Sequence, residues 1–531
     1  MDDQQANIPS DPSLYGLSSQ WSTAHDLAGS ALPCRLEGEL ASLVVLGSIP
    51  PSITGTFYRI TTDPFMPPHP QNVPLDGDGN ITAFRFHAGR VDMKMRYVET
   101  ERYKLERRAN KALFGLYRNP FTHHPCVRAA VDSTANTNLV YWAGKLLALK
   151  EGALPYAVDP DSLETLEYDP FRGQVQSKTF TAHPKYDPFV NRLVCFGYEA
   201  KGLATRDVVT YELDEEGKKK NEFWLEAPWC ALIHDCAITT NFIVLFLWPF
   251  EANVARMKAG KHHWAWSYDR PATFIVVPRF QGAAAKFGWK DGEHRVYAWK
   301  NCVPIHTAGA WEDESTGRIY VESSRVHDNI FPFFPPGDGR MPSPNAKADF
   351  VRWEIDASAP TGTIVPDPLL VLDVPSEFPR IDERLFTKRY EWIFLNVFIP
   401  EGSDGSKSIF HGLNGLAMHN NRTGETRYFR AGKDSLCQEP IFIPRTADAD
   451  EADGWVMTLI ERRAASRCDI AVIDTRNFEK PVAIVQLPFH VKAQVHGNWV
   501  PESALAEKKS LVRIIAQQGI SGLGALEPME P

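Results

Sequence analysis

The sequence predicts an all-β chain whose sheets repeat around an axis. Three observations lead there. From about Leu43 onward, short strand-like runs alternate with turn signals; sustained helical periodicity is scarce; and the hairpins are too numerous for one sandwich. Sheets of so many strands curl, split or close. Radial repetition covers each sheet with its neighbour and leaves only short edges. No fixed repeat period runs along the chain, so blades of unequal length are expected, with the site built from loops at one end.

Taken in order, "ITAFRFHAGRVDMKMRYV" reads as two strands joined at His87-Ala88-Gly89, and "NLVYWAGKLLALK" repeats the arrangement around Ala143-Gly144. Further hairpins are expected at Glu215-Glu216-Gly217 and at Arg422-Thr423-Gly424, and "WVMTLIERRAASRCDIAVID" reads as another pair with a longer polar loop. Two helical interruptions stand out: "ETERYKLERRANKALFGLYRN", Glu99 to Asn119, and "EANVARMKAGKHH". The longest apolar run, "FIVLFLWPF" from Phe242 to Phe250, is about half of what a spanning helix needs. It reads as a core strand followed by an aromatic turn; the alternative is an apolar lip that touches a membrane or an oily substrate. Residues 1–34 read as a polar strap or disordered segment, 35–518 as a single propeller domain and 519–531 as a tail.

Bulk properties narrow the function classes. A chain of 531 residues that is 43% hydrophobic buries a large core. Its formal charge of -9, spread over mixed signs, argues against a nucleic-acid partner. The eight cysteines are scattered without a CxxC, as a reducing cytosol leaves them. The polar start "MDDQQANIPSDPS" carries no apolar segment of a secretory signal, so a cytoplasmic location is expected, with no integral membrane segment and peripheral membrane contact as the lesser alternative.

Four of the sixteen histidines sit at the edges of strand-like segments, each after an apolar or small-residue lead-in and before a turn: His183, His234, His306 and His496. Such a placement could aim imidazoles from separate blades at one axial point. Neutral imidazole suits Zn, Cu, Fe or Ni, so the set does not name its metal, and core or surface histidines remain the plainer account. The His123-His124 and His262-His263 pairs lie in turn-rich surroundings and read as surface. Glu151, Glu377 and Glu439 stand at apolar-strand or proline-bounded positions, not in charged runs, and suggest an outer shell that fixes imidazole tautomers.

The stretch "LLALKEG", Leu146 to Gly152, poses a question of its own. Alternation puts Lys150 in line with Leu146 and Ala148, and Glu151 in line with Leu147 and Leu149, so two opposite charges leave one strand in different directions. A solvated strand end explains that as well as a function does.

The segments "DGDGNITAFRFHAGRV", "FTAHPKYDP", "IHDCAIT", "IHTAGAWED", "EFPRID", "EPIFIPR" and "HGNWV" together resemble the carotenoid cleavage oxygenases, over about Leu36 to Val500. The resemblance implies a seven-bladed β-propeller with a few helices and long loops capping one face. It implies a non-haem Fe(II) bound by His183, His234, His306 and His496, with Glu151, Glu377 and Glu439 hydrogen-bonded to the histidines other than His183. "STANTNLVYWAGKLLALKEGALPYAVDPDSLETL" and "LFGLYRNPFT" look most like the stilbene-cleaving branch, the lignostilbene and resveratrol oxygenases. In that branch Lys150 and Tyr117 are implied to hold the phenolic 4'-hydroxyl, and Thr137 to crowd an otherwise open coordination position. The implied reaction is cleavage of the interphenyl double bond of a 4'-hydroxystilbene (resveratrol, piceatannol or lignostilbene type) by O2 to two aldehydes. Lys150 would act either as neutral proton acceptor or as a cation beside a phenolate. Phe331 reads as an aromatic wall, though core packing accounts for it equally. Apocarotenoid cleavage on the same scaffold is the alternative, and a non-enzymatic propeller used as a binding platform is the rival outside the enzyme class.

Overall fold

A computed structural model describes Trp21 and residues 32–400, 412–507 and 509–513. Its strands form seven antiparallel sheets. Five follow one another along the chain, each starting at its innermost strand: Asn138–Trp142, Lys185–Asp187, Ala231–Ile238, Val303–Asp313 and Ser376–Arg380. The sixth starts at Ser435–Cys437 and Ile441–Pro444, and the seventh at Gln494–Pro501. Neighbouring first strands touch: Gln494–Pro501 meets Asn138–Trp142, and Ala231–Ile238, Val303–Asp313 and Ser376–Arg380 abut in succession. This is the expected propeller.

The ring closes twice. Gln494–Pro501 pairs with Gly55–Thr62, with Phe57 opposite Trp499. Val44–Gly47 pairs with Pro481–Gln486 in the preceding blade, so the N-terminal strands are shared between two sheets. Mid-blade strands are covered on both sides by neighbouring blades, which explains the unbroken apolar run from Phe242: the strand Phe242–Ala252 is buried at nearly every position. Each such large side chain contributes about 1.5–3 kcal/mol relative to an exposed one. The expected aromatic turn and the exposed lip at "FLWPF" are therefore both wrong: Trp248 and Phe250 continue the strand and are fully buried.

Both two-residue hairpins form as read. Ala88-Gly89 and Ala143-Gly144 take positive φ at both positions, matching the twist of the strands they join. The helices are shorter than expected. The first covers Glu101–Ala109: the Thr100 side chain accepts from Tyr103 N, and Asn110, left-handed at φ 52°, ends it. The Glu106 carboxylate then takes the N–H groups of Leu113 and Phe114, which stabilises a non-helical continuation. The second covers only Val254–Lys258. No described helix is long and apolar enough to cross a membrane.

The excursions outside the blades gather together: the Asn119 amide donates to Met257 O (3.0 Å) and Lys261 O (2.7 Å), and Tyr117 packs against Phe334. Most of the proposed 1–34 strap and all of the 519–531 tail lie outside the described residues.

Gly497, beside His496, marks a close approach between strands. A Cβ there would stand 2.0 Å from Tyr58 O and 2.6 Å from Arg59 Cδ. Gly497→Ala is expected to cost about 1–3 kcal/mol or more by overpacking, visible as a lowered thermal midpoint; an unchanged midpoint would show that the two strands can separate freely.

Candidate metal centre

The inner strands break their ladders where the histidines lie. Register shifts fall between Ile233 and Cys236, around His234, and between Pro304 and Thr307, around His306. Opposite His496, the partner strand shifts between Arg59 and Thr61. Such irregularities re-aim a side chain out of the sheet alternation. His183 lies two residues before the short strand Lys185–Asp187.

The four imidazoles meet: one ligand atom from each of His183, His234, His306 and His496 lies within 4.8 Å of the others. His234 Nε2 is 3.1 Å from His183 Nε2 and 2.9 Å from His306 Nε2. Two nitrogens each about 2.1 Å from one ion at right angles would be about 3 Å apart. His496 Nε2 is buried with no hydrogen-bond partner among the described residues.

The Nδ1 side explains why the lone pairs face inward. His234 Nδ1 bonds Glu151, His306 Nδ1 bonds Glu377 at 2.5 Å, and His496 Nδ1 bonds Glu439 at 3.0 Å. A carboxylate on Nδ1–H leaves the Nε2 lone pair free. Three such lone pairs, with His183 beside them, repel one another unless a cation lies between them, so the donor set fits a divalent metal. No carboxylate bonds His183 among the described residues.

The carboxylates are themselves held. Burial works against ionising Glu151, but His234 and a 2.7 Å bond from Tyr198 OH keep its carboxyl below the usual range. Burial likewise opposes ionised Glu439, and Arg380 (3.2 Å), His496 and Arg59 (3.1 Å) overcome it. At Glu377 the backbone turns to φ 52° at Phe378, which lays the Phe378 ring on His306 with centroids 5.3 Å apart. A bulky residue is costly there, and the surrounding sheet has to enforce it.

Burial and the neighbouring imidazoles hold His183 well below the ordinary imidazole value. Burial brings His496 down to about 4 despite Glu439. Burial also acts to lower His306, but Glu377 outweighs it and raises this ring.

Lys150 and Glu151 lie just past the strand Lys145–Leu149 and diverge. Lys150 is only 6% exposed. Its Nζ donates to Asn136 Oδ1 (3.0 Å) and approaches Leu75 O (3.3 Å), and it sits 4.7 Å from the centroid of the Tyr117 ring. Burial lowers its pKa to about 8, against the pull of Asp76 and Glu151. Burial also drives the Tyr117 phenol well up, so it stays protonated.

Phe331 is half-buried among Trp248, Phe250, Phe333 and Phe334. Trp248 packs in turn on His234, with centroids 5.0 Å apart. Aromatic rings thus run from the metal centre through Phe331 and Phe334 to Tyr117. The Thr137 hydroxyl bonds Asn136 Oδ1 (3.1 Å) and makes no polar contact with the four imidazoles among the described residues. A cavity of about 780 Å³ reaches His183, His306 and His496 past Asn138, Lys185 and Arg380; Lys150, Tyr117 and Phe331 do not line it.

Two expectations fail. His123 is buried, accepting from Gly115 N (3.0 Å) and paired with Asp132 (3.1 Å), and His263 is buried between Glu199 and Arg118 O. Turn-rich sequence indicated surface, but here the turns pack against the blades. Their partners His124 and His262 are exposed and half-buried. Sequence reasoning also missed Asp235, Trp248, Phe378 and Tyr198. Asp235 adjoins His234 and Phe378 adjoins Glu377, so adjacency was the available signal; Tyr198 offered none.

A seven-sheet ring that brings four imidazoles together, three of them backed by carboxylates, is a propeller whose centre offers the donor set of an all-histidine metal site. Among known proteins, the family described as retinal pigment epithelial membrane protein matches residues 31–501, and the chain belongs to it, the carotenoid oxygenase family. It is 70% identical to resveratrol cleavage oxygenase 1 of Botryotinia fuckeliana, over 97% of this chain and 92% of that protein. To the protein of the same name from Aspergillus fumigatus it is 40% identical, over 89% of this chain and 95% of the other. The crystal structure of Pseudomonas brassicacearum lignostilbene dioxygenase superimposes with a TM-score of 0.85 at 38% identity, covering 91% of this chain and all of that one, 100%.

Proposed function

We propose that this chain is a ferrous-iron dioxygenase that cleaves the interphenyl double bond of 4'-hydroxystilbenes with O2, giving two aromatic aldehydes. The reading is supported by relatives named for resveratrol cleavage and for lignostilbene dioxygenation. The observation that carries it is the divergence at Lys150-Glu151: one residue bonds an imidazole of the metal centre, and the next carries a buried amine beside a buried phenol.

His183, His234, His306 and His496 would hold the iron, and Glu151, Glu377 and Glu439 would orient three of them. When bound, ferrous iron supplies O2 activation, and four neutral ligands leave its charge undiminished. Both oxygen atoms enter product, so no external electron donor is required. Lys150 and Tyr117 hold the 4'-hydroxyl; the Lys150 amine takes its proton and pushes electron density through the ring to the alkene. Fixing that oxygen also fixes the alkene relative to the histidines. Phe331 and its aromatic neighbours flank the flat substrate, and Thr137 narrows the space near the metal. The eight free cysteines suit a reducing compartment such as the cytoplasm.

Incubation with resveratrol and, separately, with an apocarotenal tests the reading. Hydroxybenzaldehydes from resveratrol are expected; cleavage of the apocarotenal alone would overturn it in favour of apocarotenoid cleavage.

The pH dependence follows from Lys150. Burial lowers its pKa to about 8, so the neutral amine that accepts the phenol proton gains population as pH rises through that value. kcat/KM is expected to rise between pH 7 and 9, and this limb should vanish in Lys150→Met. A profile that is flat or falling across this range in the wild-type protein would remove the amine as base.

A further inference from the structure

Asp235 directly follows His234, and nothing in the proposed reaction uses it. Its side chain is 1% exposed and accepts from Cys236 N at 2.7 Å, Lys185 Nζ at 2.8 Å and Thr307 N at 2.8 Å; the Thr307 hydroxyl lies 3.0 Å away and shares its one proton between Asp235 and Cys236 O at 2.8 Å. Those donors come from three blades, and each belongs to a segment bearing one imidazole. Lys185 lies two residues after His183, Cys236 two residues after His234, and Thr307 directly after His306.

The two amide donors sit at the register shifts around His234 and His306. A bulge that turns an imidazole out of the sheet leaves a ladder N–H without its strand partner, and a buried N–H has to be satisfied. The Asp235 carboxylate satisfies both at once. The same group reaches the segment of His183, the imidazole that has no carboxylate on its ring among the described residues. A weaker second link joins them, the Cys236 thiol 3.9 Å from His183 O.

We infer that Asp235 is a positioning residue for the metal centre, tying the His183, His234 and His306 segments together through the backbone; unlike Glu151, Glu377 and Glu439, it acts on the strands that carry the imidazoles and not on a ring nitrogen. This rests on the metal reading above. A generic buried ion pair offers the contrast: Arg325 and Asp349 pair at 2.7 Å in the fourth blade, Asp349 is fully buried, and neither touches the four imidazoles.

The test uses metal-free full-length protein titrated with Co(II) against a competing chelator. Affinity, the visible d–d spectrum and the thermal midpoint of the metal-free form are recorded. Asp235→Asn and Lys185→Met are expected to weaken Co(II) binding on the order of 10-fold or more and to alter the spectrum, with Lys185→Arg restoring both. Asp349→Asn is expected to lower the midpoint while leaving affinity and spectrum as in wild type. If Asp235→Asn does not fold, Thr307→Val, which removes one donor and keeps the shape, decides by the same criteria. Wild-type affinity and spectrum in the Asp235 and Lys185 variants would overturn the inference while leaving the metal reading intact. Losses that track the midpoint equally in Asp349→Asn would also overturn it, as a merely structural effect. A wild-type protein that binds no Co(II) would overturn the metal reading and this inference with it.

Discussion

Lys150→Met is expected to lower kcat/KM for 4'-hydroxystilbenes on the order of 10²-fold or more, the range of a lost acid–base group, while iron content stays at the wild-type level. Methionine has a similar unbranched reach, so the space that the Lys150 side chain occupies beside Tyr117, Asn136 and Leu75 stays filled. Asn136 Oδ1 loses the ammonium donor but keeps the Thr137 hydroxyl at 3.1 Å, so no buried acceptor is stranded there. Glu151 keeps His234 and Tyr198, so the metal side is untouched. Steady-state kinetics with elemental analysis check both halves. Wild-type kinetics would remove Lys150 from the reaction, and lost iron would show that the two faces of this strand end are not independent.

The second large effect is expected from His306→Ala: iron lost on purification and no detectable turnover. One donor of four disappears, so the fall in affinity should exceed the roughly 10- to 100-fold that outer-shell changes cost. Glu377 is left buried with the Phe378 N–H (2.6 Å) and the long contact to the residue 306 amide (3.4 Å), having lost the imidazole that balanced its charge. The blades should still fold, because their apolar cores pack between the sheets and do not include the His306 side chain. Iron analysis and circular dichroism test this together; a variant with full iron would mean that His306 is not a ligand.

The residues that the sequence made legible share one property: their role follows from local alternation or from position at a strand edge. Period-two alternation was enough to see that Lys150 and Glu151 part company, and the structure sends Glu151 to His234 and Lys150 to Tyr117. Hairpin turns at Ala88-Gly89 and Ala143-Gly144 were legible because positive φ at both positions is a local demand. Relations between blades were not. Tyr198 reaches Glu151 from 47 residues away, and Arg59 reaches Glu439 across 380, and no periodicity encodes such contacts. The first helix was overextended because its end depends on the Glu106 carboxylate capturing two later amides, a tertiary choice. His263 was misplaced for the same reason: its polar flanks fold inward onto Glu199.

The most direct test of the central claim compares two substrates that differ by one methyl group. On iron-loaded protein, resveratrol should be cleaved with a kcat/KM at least about 10²-fold above that of its 4'-O-methyl ether, which offers the Lys150 amine no proton. Equal values for the two would contradict the account, because the buried amine and phenol would then have no part in choosing or activating the alkene.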